Sequence, residues 1–285
     1  MNKNLFKDIT IIIPLYKTPL SQLSKFTQYK NFKIIFIDQC GNKNFKNNIK
    51  KVTGINFDYY STNKNVGLSK AANFLLSKVK TRFCLFTQAD IIINSYSIFL
   101  LKLALVKDAN YIFAGPKFVE KINKKINNDI LFSFPRIRKV KSINAACFLL
   151  DVKKVRKISF FDEDFFLYWE DIFLMKKINK SKYQIAYVDQ ATAVHEIGKS
   201  TEKNYKIFLI RNMNFKFGEY LFDYKMNKFR SVKILRNIIR FPFYFIFYLL
   251  TLQFLKSYLK LSEFLGALKF IYFYSTNNKI KKLYV

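Results

Sequence analysis

Five of the nineteen acidic residues fall within ten positions, at Asp162, Glu163, Asp164, Glu170 and Asp171, and no lysine or arginine interrupts them. They are interleaved with Phe165, Phe166, Leu167, Tyr168 and Trp169, which is unlike a solvated acidic face. A carboxylate in such surroundings can act as a general base if it reaches the proton of an incoming hydroxyl. A helix beginning near Tyr168 places Asp171 on one face with Leu174, Met175 and Ile178, the inward side. The plainer reading is that Glu170 and Asp171 complement the helix dipole. His195, the only histidine, is followed by Glu196-Ile197-Gly198-Lys199-Ser200. A neutral imidazole there is either a structural residue after a strand or a metal ligand beside a phosphate-friendly turn.

The elements that must position these groups alternate. Apolar runs at Thr10–Leu15, Phe32–Ile37, Arg82–Thr87 and Tyr111–Ala114 read as buried strands, and Leu20–Tyr29, Ser69–Val79 and Tyr96–Val106 carry helical periodicity. This is the α/β pattern of a mostly parallel sheet with crossover helices, a nucleotide-binding type of fold. The stretch 117–141 reads as a long basic loop with little regular structure. A strand at Ile143–Leu150, a helix near Tyr168 and two short strands at Tyr183–Val188 and Ala191–His195 follow.

Ligands of open parallel sheets bind at the carboxyl ends of the strands. Those ends carry Pro14-Leu15-Tyr16, Asp38 and Gln88-Ala89-Asp90. A carboxylate at such an edge can accept from a pyrimidine N–H or hold a divalent cation against diphosphate oxygens. Taken singly, Asp38 is also a turn residue before Gly41, and Asp90 a turn or cap residue. The segment Asn65-Val66-Gly67-Leu68-Ser69-Lys70-Ala71-Ala72-Asn73 would let backbone approach a ligand at a helix N-terminus. With one glycine and no Gly-Lys-Ser/Thr, it is neither a dinucleotide fingerprint nor a P-loop.

The whole chain has 285 residues, with 50 Lys+Arg against 19 Asp+Glu, a net charge of +31. This charge favours polyanionic partners: nucleic acid, anionic lipid or phosphorylated substrates. Abundant Lys, Asn, Ile and Phe also fit an AT-rich coding bias. Cys40, Cys84 and Cys147 are too scattered for a zinc or redox motif and are expected reduced and mostly buried. The short run Ile11–Ile13 before Pro14 gives no expectation of a signal peptide. From 201 to 285 there are 16 basic and four acidic residues, with the uncharged run Phe241–Leu255 between Arg240 and Lys256. That run is short of the roughly 20 residues a spanning helix needs, so a buried or interfacial helix is expected. A basic stretch leading into an aromatic one suits an anionic membrane surface, and equally a helical pair packed on the sheet.

The order of these motifs resembles the inverting glycosyltransferases of family 2, of GT-A fold, and in particular a rhamnosyltransferase-like branch that builds bacterial surface polysaccharides. Ile11-Ile12-Ile13-Pro14-Leu15-Tyr16 resembles the family's first strand and nucleotide-contacting turn. Asp38 falls where its base-recognising aspartate ends strand two, and Asn65 to Asn73 is similar to its Asn-x-Gly-x-x-x-Ala-x-Asn helix start. Gln88-Ala89-Asp90 takes the place of the metal motif, with Gln88 where an acid or Asn is usual. Phe161 to Asp171 resembles the Phe-Asp-Glu-x-Phe-Phe…Glu-Asp block, although Phe173 replaces an acid that commonly comes next. His195 to Ser200 resembles the His-x-x-Gly-x-Ser element, and Tyr205 to Asn212 continues it.

The resemblance implies a domain over 1–217 and a basic, aromatic-rich, membrane-associating helical extension over 218–285. It implies inverting transfer of rhamnose or another hexose from a nucleoside-diphosphate sugar to a lipid-linked or growing polysaccharide hydroxyl. Asp171, with Glu170, would be catalytic. Pro14, Tyr16, Asp38, Asn65, Gly67, Lys70, Asn73 and Gln88 would line the nucleotide-sugar site, and Asp90 and His195 would hold Mg²⁺ or Mn²⁺. The expected partners are the donor, the glycan acceptor and an anionic membrane surface, with no nucleic acid, on the cytoplasmic face of the cell membrane. The rival readings are a basic nucleic-acid-binding protein, for which no recognisable module is present, and a membrane-surface protein without transferase activity.

Overall fold

The computed structural model describes residues 6–41, 44–120, 134–202, 204–229 and 231–283, with side chains to 277. The chain divides into two compact units, one of Met1–Asp162 with Leu174–Glu202 and the other of Glu163–Phe173 with Lys203–Val285.

The first unit is an α/β fold around a nine-stranded sheet. Its strands are β1 (Ile9–Leu15), β2 (Lys33–Asp38), β3 (Asp58–Ser61), β4 (Phe83–Thr87), β5 (Ile91–Ile93), β6 (Tyr111–Phe118), β7 (Ile137–Val140), β8 (Cys147–Asp151) and β9 (Gln184–His195). They lie in the order β3-β2-β1-β4-β8-β6-β9-β5, with β7 also on β9. Successive strand residues serve opposite faces. In β1, Ile9, Ile11 and Ile13 join one apolar cluster while Ile12 joins the other; in β4, Phe83 and Leu85 oppose Cys84 and Phe86. Burial on both faces is why these strands read as continuous apolar runs and not as alternating ones. Helix α4 (Ser95–Lys107) covers one face through Ile98, Leu101 and Leu105. Helix α3 (Leu68–Lys78) covers the other through Ala71, Ala72 and Leu75.

The sheet is mixed, which corrects the expectation of a mostly parallel one. β1 pairs in parallel with β2 and β4, as β2 does with β3 and β6 with β9. β8 runs antiparallel to both β4 and β6, while β5 and β7 run antiparallel to β9. A parallel neighbour needs a crossover, usually a helix, whereas an antiparallel one does not. The α–β alternation that signals parallel pairing ends near residue 118. Two further readings change. Ile137–Val140, expected as loop, is strand β7, and 121–133 lie outside the described residues. The two strands expected before His195 are one, β9, whose pairing with β6 shifts register between Pro116 and Lys117. The expected helix Leu20–Tyr29 is a short α1 (Leu20–Leu23) followed by a 3₁₀ turn over Ser24–Tyr29. Helices α2 (Phe45–Thr53) and α5 (Val152–Ile158) complete the unit's helices among the described residues, apart from the part of α6 (Glu170–Asn179) that begins at Leu174.

The second unit is helical, with α7 (Tyr205–Lys225), α8 (Ser231–Leu250) and α9 (Phe254–Leu283). Phe165, Phe217, Tyr220, Leu221, Ile234, Ala267 and Phe270 form its core. At Gly266 a Cβ would sit 2.6 Å from the Met213 carbonyl, so α9 approaches α7 as closely as backbone permits. The 217/218 boundary that the resemblance implies falls inside α7. The uncharged run Phe241–Leu255 spans the end of α8, a corner and the start of α9, with Phe243, Leu250 and Leu252 respectively 73%, 78% and 74% exposed. No helix among the described residues is long and apolar enough to cross a membrane.

Candidate functional site

The parallel half of the sheet sets Leu15, Asp38 and Ser61 side by side at adjacent strand ends. Asp38 is 1% exposed. Its Oδ1 accepts from the Cys40 N–H at 3.1 Å and its Oδ2 from the Tyr59 hydroxyl at 3.2 Å. Burial, and then the charge of Asp38, raise the Tyr59 phenol pKa, so Tyr59 keeps the proton it donates. Beside Asp38, the Gln39 Oε1 accepts from Val66 N–H at 3.2 Å, and the Asn65 Oδ1 from Gly67 N–H at 2.9 Å. These bonds fix the turn into α3. Gly67, at φ 90°, occupies backbone space that a side chain would strain, and α3 opens there without a side-chain cap. Its first N–H groups can therefore face an anion. Lys70 is exposed and Asn65 half-buried on this turn. Pro14 lies in β1 opposite Ile37, and Tyr16 is half-buried just beyond.

Asn73 is committed elsewhere. Its Nδ2 donates to the Phe161 carbonyl at 2.9 Å and its Oδ1 accepts from the Phe161 N–H at 3.1 Å. It holds the chain just ahead of the acidic segment.

Asp90 and His195 come together because Ile91, the first residue of β5, pairs with His195, the last of β9. The Asp90 Oδ2 lies 3.6 Å from His195 Nε2 and accepts from the Ser200 N–H at 3.2 Å. Its Oδ1 is buried with no hydrogen-bond partner. Burial pushes the Asp90 pKa up, but His195 and the Asp90 and Ser200 N–H groups outweigh it, so the carboxyl sits below its ordinary value. Close by in sequence, Glu196 pairs with Lys25 and lies 3.7 Å from Lys199. Burial, then Lys199, lower the Lys25 pKa. Gln88 is half-buried, and its backbone N–H donates to the Ala146 carbonyl at 2.9 Å.

Among the described residues no three of His, Cys, Asp and Glu cluster as a metal cage. The donor set that is present still fits a divalent cation. A carboxylate with one buried, unpartnered oxygen beside an imidazole supplies two ligands, and such ions commonly complete their shell with phosphate oxygens and water.

Glu170 and Asp171 belong to the second unit, at the start of α6. The helix expected near Tyr168 begins two residues on, at Glu170, because Tyr168 and Trp169 hold left-handed φ angles of 68° and 72°. Such a pair costs on the order of 1–3 kcal/mol per residue and persists only where surroundings enforce it. Here Trp169 Nε1 donates to the Phe215 carbonyl at 3.0 Å and Arg211 Nε to the Tyr168 hydroxyl at 2.6 Å. A Cβ on Gly218 would lie 2.8 Å from the Trp169 ring, so that glycine makes room for the indole. Phe173, where the resemblance leads one to expect an acid, packs on Phe165 and Phe222.

The inward carboxylate is Glu170, 5% exposed, with Asp171 half-buried. This corrects the face drawn for Asp171 from helical spacing. Burial, then the charge of Asp171, raise the Glu170 pKa to about 8, and its Oε2 has no hydrogen-bond partner. Burial also raises the Asp171 pKa, and its Oδ1 accepts from the Ile172 N–H at 2.8 Å.

Sequence reasoning missed Gln39, Tyr59 and Lys25. Gln39 adjoins Asp38 and could have been found from it. Tyr59 needed the β2–β3 register, and Lys25 a tertiary contact with no local signal.

The fold is shared with two solved structures. GalNAc-T7 with UDP, GalNAc and Mn²⁺ superposes with a TM-score of 0.53 at 13% identity over 68% of this chain and 44% of that one. The mannosyltransferase PcManGT from Pyrobaculum calidifontis, in complex with GDP-Man and Mn²⁺, gives 0.55 at 12% identity over 77% of this chain and 66% of that one. The chain thus spans less than two thirds of either protein's length, and likeness at this identity establishes the fold alone. No curated protein matches the chain. The sequence model of glycosyl transferase family 2 matches residues 10–174, more than half of the chain. The protein belongs to that family.

Proposed function

We propose that the protein is an inverting transferase of the rhamnosyltransferase-like branch. It would move rhamnose or another hexose from a nucleoside-diphosphate sugar to a hydroxyl of a lipid-linked or growing polysaccharide. The observation that carries this reading is Asp90, buried at a strand edge with one unpartnered oxygen and His195 at 3.6 Å, inside a family 2 domain. The Mn²⁺ and nucleotides bound to the two solved relatives support it.

Asp38 and Tyr59 recognise the base, and the Gly67 turn and α3 N-terminus receive phosphate oxygens. Asp90 and His195 would hold Mg²⁺ or Mn²⁺, and the ion would supply positive charge against the negative charge developing on the leaving diphosphate. Lys25 and Lys199 add cations on the same side chain cluster as Glu196. Burial raises the Glu170 pKa to about 8, which favours its protonated form at neutral pH, and Asp171 beside it is the carboxylate assigned to take the acceptor hydroxyl's proton. A single displacement of this kind needs one base and no covalent sugar intermediate. The exposed aromatic and basic faces of α8 and α9 support association with an anionic membrane surface, on its cytoplasmic side where nucleotide-sugars are made.

Asp171→Asn tests the assignment of the base. Transfer falls by about 10²–10⁴-fold while nucleotide-sugar affinity stays within twofold or so. Retained transfer with lost donor binding overturns the assignment.

A further inference from the structure

Within the helical unit, α7, α8 and α9 line an open cavity of about 410 Å³. Lys216, Lys233, Arg236, Arg240 and Lys260 line it, with Glu219 the one acid among its lining residues. Three of the cations are balanced: Lys216 and Lys233 both lie 2.8 Å from Glu219, Lys233 also reaches Asp223 at 2.8 Å, and Lys260 reaches Glu263 at 2.8 Å. Arg236 and Arg240 have no acidic partner among the described residues. They stand one helical turn apart on α8, so both guanidinium groups open on the same side. Two unpaired forks over a concavity match phosphate oxygens, which arginine binds in bidentate fashion.

The C-terminal half of α8 points to the source of that phosphate. From Phe241 the helix carries no charge to its end at Leu250, ten residues or about 15 Å at 1.5 Å per residue. That is about half of a hydrocarbon core roughly 30 Å thick. The corner at its end exposes Leu250, Leu252, Phe254 and Leu255. Seating that corner in one leaflet brings Arg240 and the cavity to the level of the headgroups. Tyr244, exposed and carrying Lys260 5.8 Å from its ring centroid, lies between the two levels, as amphipathic aromatics do at interfaces.

We propose that this cavity is a headgroup site for a lipid bearing a terminal phosphate or diphosphate, with the α8–α9 corner inserted in the hydrocarbon beside the lipid's chains. The site rests on the lipid-linked acceptor proposed above and gives it an anchor on this chain.

The full chain is assayed by flotation with phosphatidylcholine vesicles doped with phosphatidic acid, a phosphomonoester lipid, or with phosphatidylserine at matched surface charge. The site predicts at least about tenfold tighter binding to phosphatidic acid, and loss of that preference in Arg236→Gln/Arg240→Gln. Lys50→Gln/Lys51→Gln on α2, which removes the same charge elsewhere, keeps the preference. Circular dichroism of each variant verifies the fold. Equal binding to both vesicles, or equal loss in the two double variants, means diffuse surface attraction and overturns the site. Inorganic pyrophosphate that binds in an Arg236- and Arg240-dependent way, without any phosphatidic acid preference, assigns the site to a soluble anion and overturns the lipid. Preferential binding of single-stranded RNA does the same. Vesicle preference is read without turnover, so Asp171→Asn keeps it. A chain that prefers phosphatidic acid but glycosylates only soluble acceptors leaves the site standing and removes the acceptor reading alone.

Discussion

Replacing Glu170 by glutamine should stabilise the protein at alkaline pH and leave it unchanged in acid. The carboxyl is 5% exposed, its Oε2 lacks a partner, and burial followed by the Asp171 charge lifts its pKa from 4.5 to about 8. Between those values the folded chain binds more protons than the unfolded chain, so stability falls with rising pH. The contribution of Glu170 is complete below about 4.5 and is lost as pH rises through about 8. At about 1.4 kcal/mol per tenfold, the ceiling is about 5 kcal/mol. Relaxation and water entry around the charged form reduce it, so a gain of at least about 2 kcal/mol at pH 9 is expected. This corresponds to about 4 °C or more in Tm for a chain of this size. Glutamine is an isosteric neutral stand-in for the protonated acid, so at pH 5 the two melting curves should nearly coincide. Calorimetric melts from pH 5 to 9 measure the divergence. In Asp171→Asn, where the second cause of the raised pKa is gone, the Glu170 decline should end at lower pH and be smaller than in wild type. A pH-independent offset between Glu170→Gln and wild type, or a variant less stable at pH 9, would refute the burial argument.

Two packing predictions rest on single contacts. Asn73→Ala removes both hydrogen bonds to the Phe161 backbone and should cost about 1–3 kcal/mol in urea melts; a change under about 0.5 kcal/mol would mean that Asn73 does not hold that segment. Gly218→Ala drives a methyl into Trp169 and the Tyr168 carbonyl and should cost about 1–3 kcal/mol. Because Trp169 is the only tryptophan, its emission reports the displacement directly, and an unchanged spectrum and Tm would show that the turn absorbs the methyl.

What the sequence disclosed depended on how local each cause is. β1, β2 and β4 were readable because residues such as Ile11, Ile12 and Ile13 are buried alternately on two faces and leave an unbroken apolar run. Asp38 and Asp90 were readable because a polar residue stands out where such a run stops. β3, Asp-Tyr-Tyr-Ser, carries no such signal, since it is a short edge strand with two half-buried tyrosines. The antiparallel placement of β8 is a matter of chain return, which no periodicity encodes. Tyr168 and Trp169 could not be read as left-handed, because the conformation is imposed by Arg211, Phe215 and Gly218 about forty to fifty residues away. That same turn decides that Glu170, and not Asp171, is the more buried of the two acids.

The central claim is that Asp90 and His195 hold a divalent cation against the diphosphate of the donor. Calorimetric titration of UDP, GDP and dTDP into wild type and Asp90→Asn, with Mn²⁺ and with chelator, tests it most directly. The account predicts that one nucleotide binds wild type at least about tenfold more tightly with Mn²⁺, and that Asp90→Asn binds it weakly in both conditions. Equal affinity with and without Mn²⁺ in wild type, or cation dependence that survives in both Asp90→Asn and His195→Ala, would contradict it.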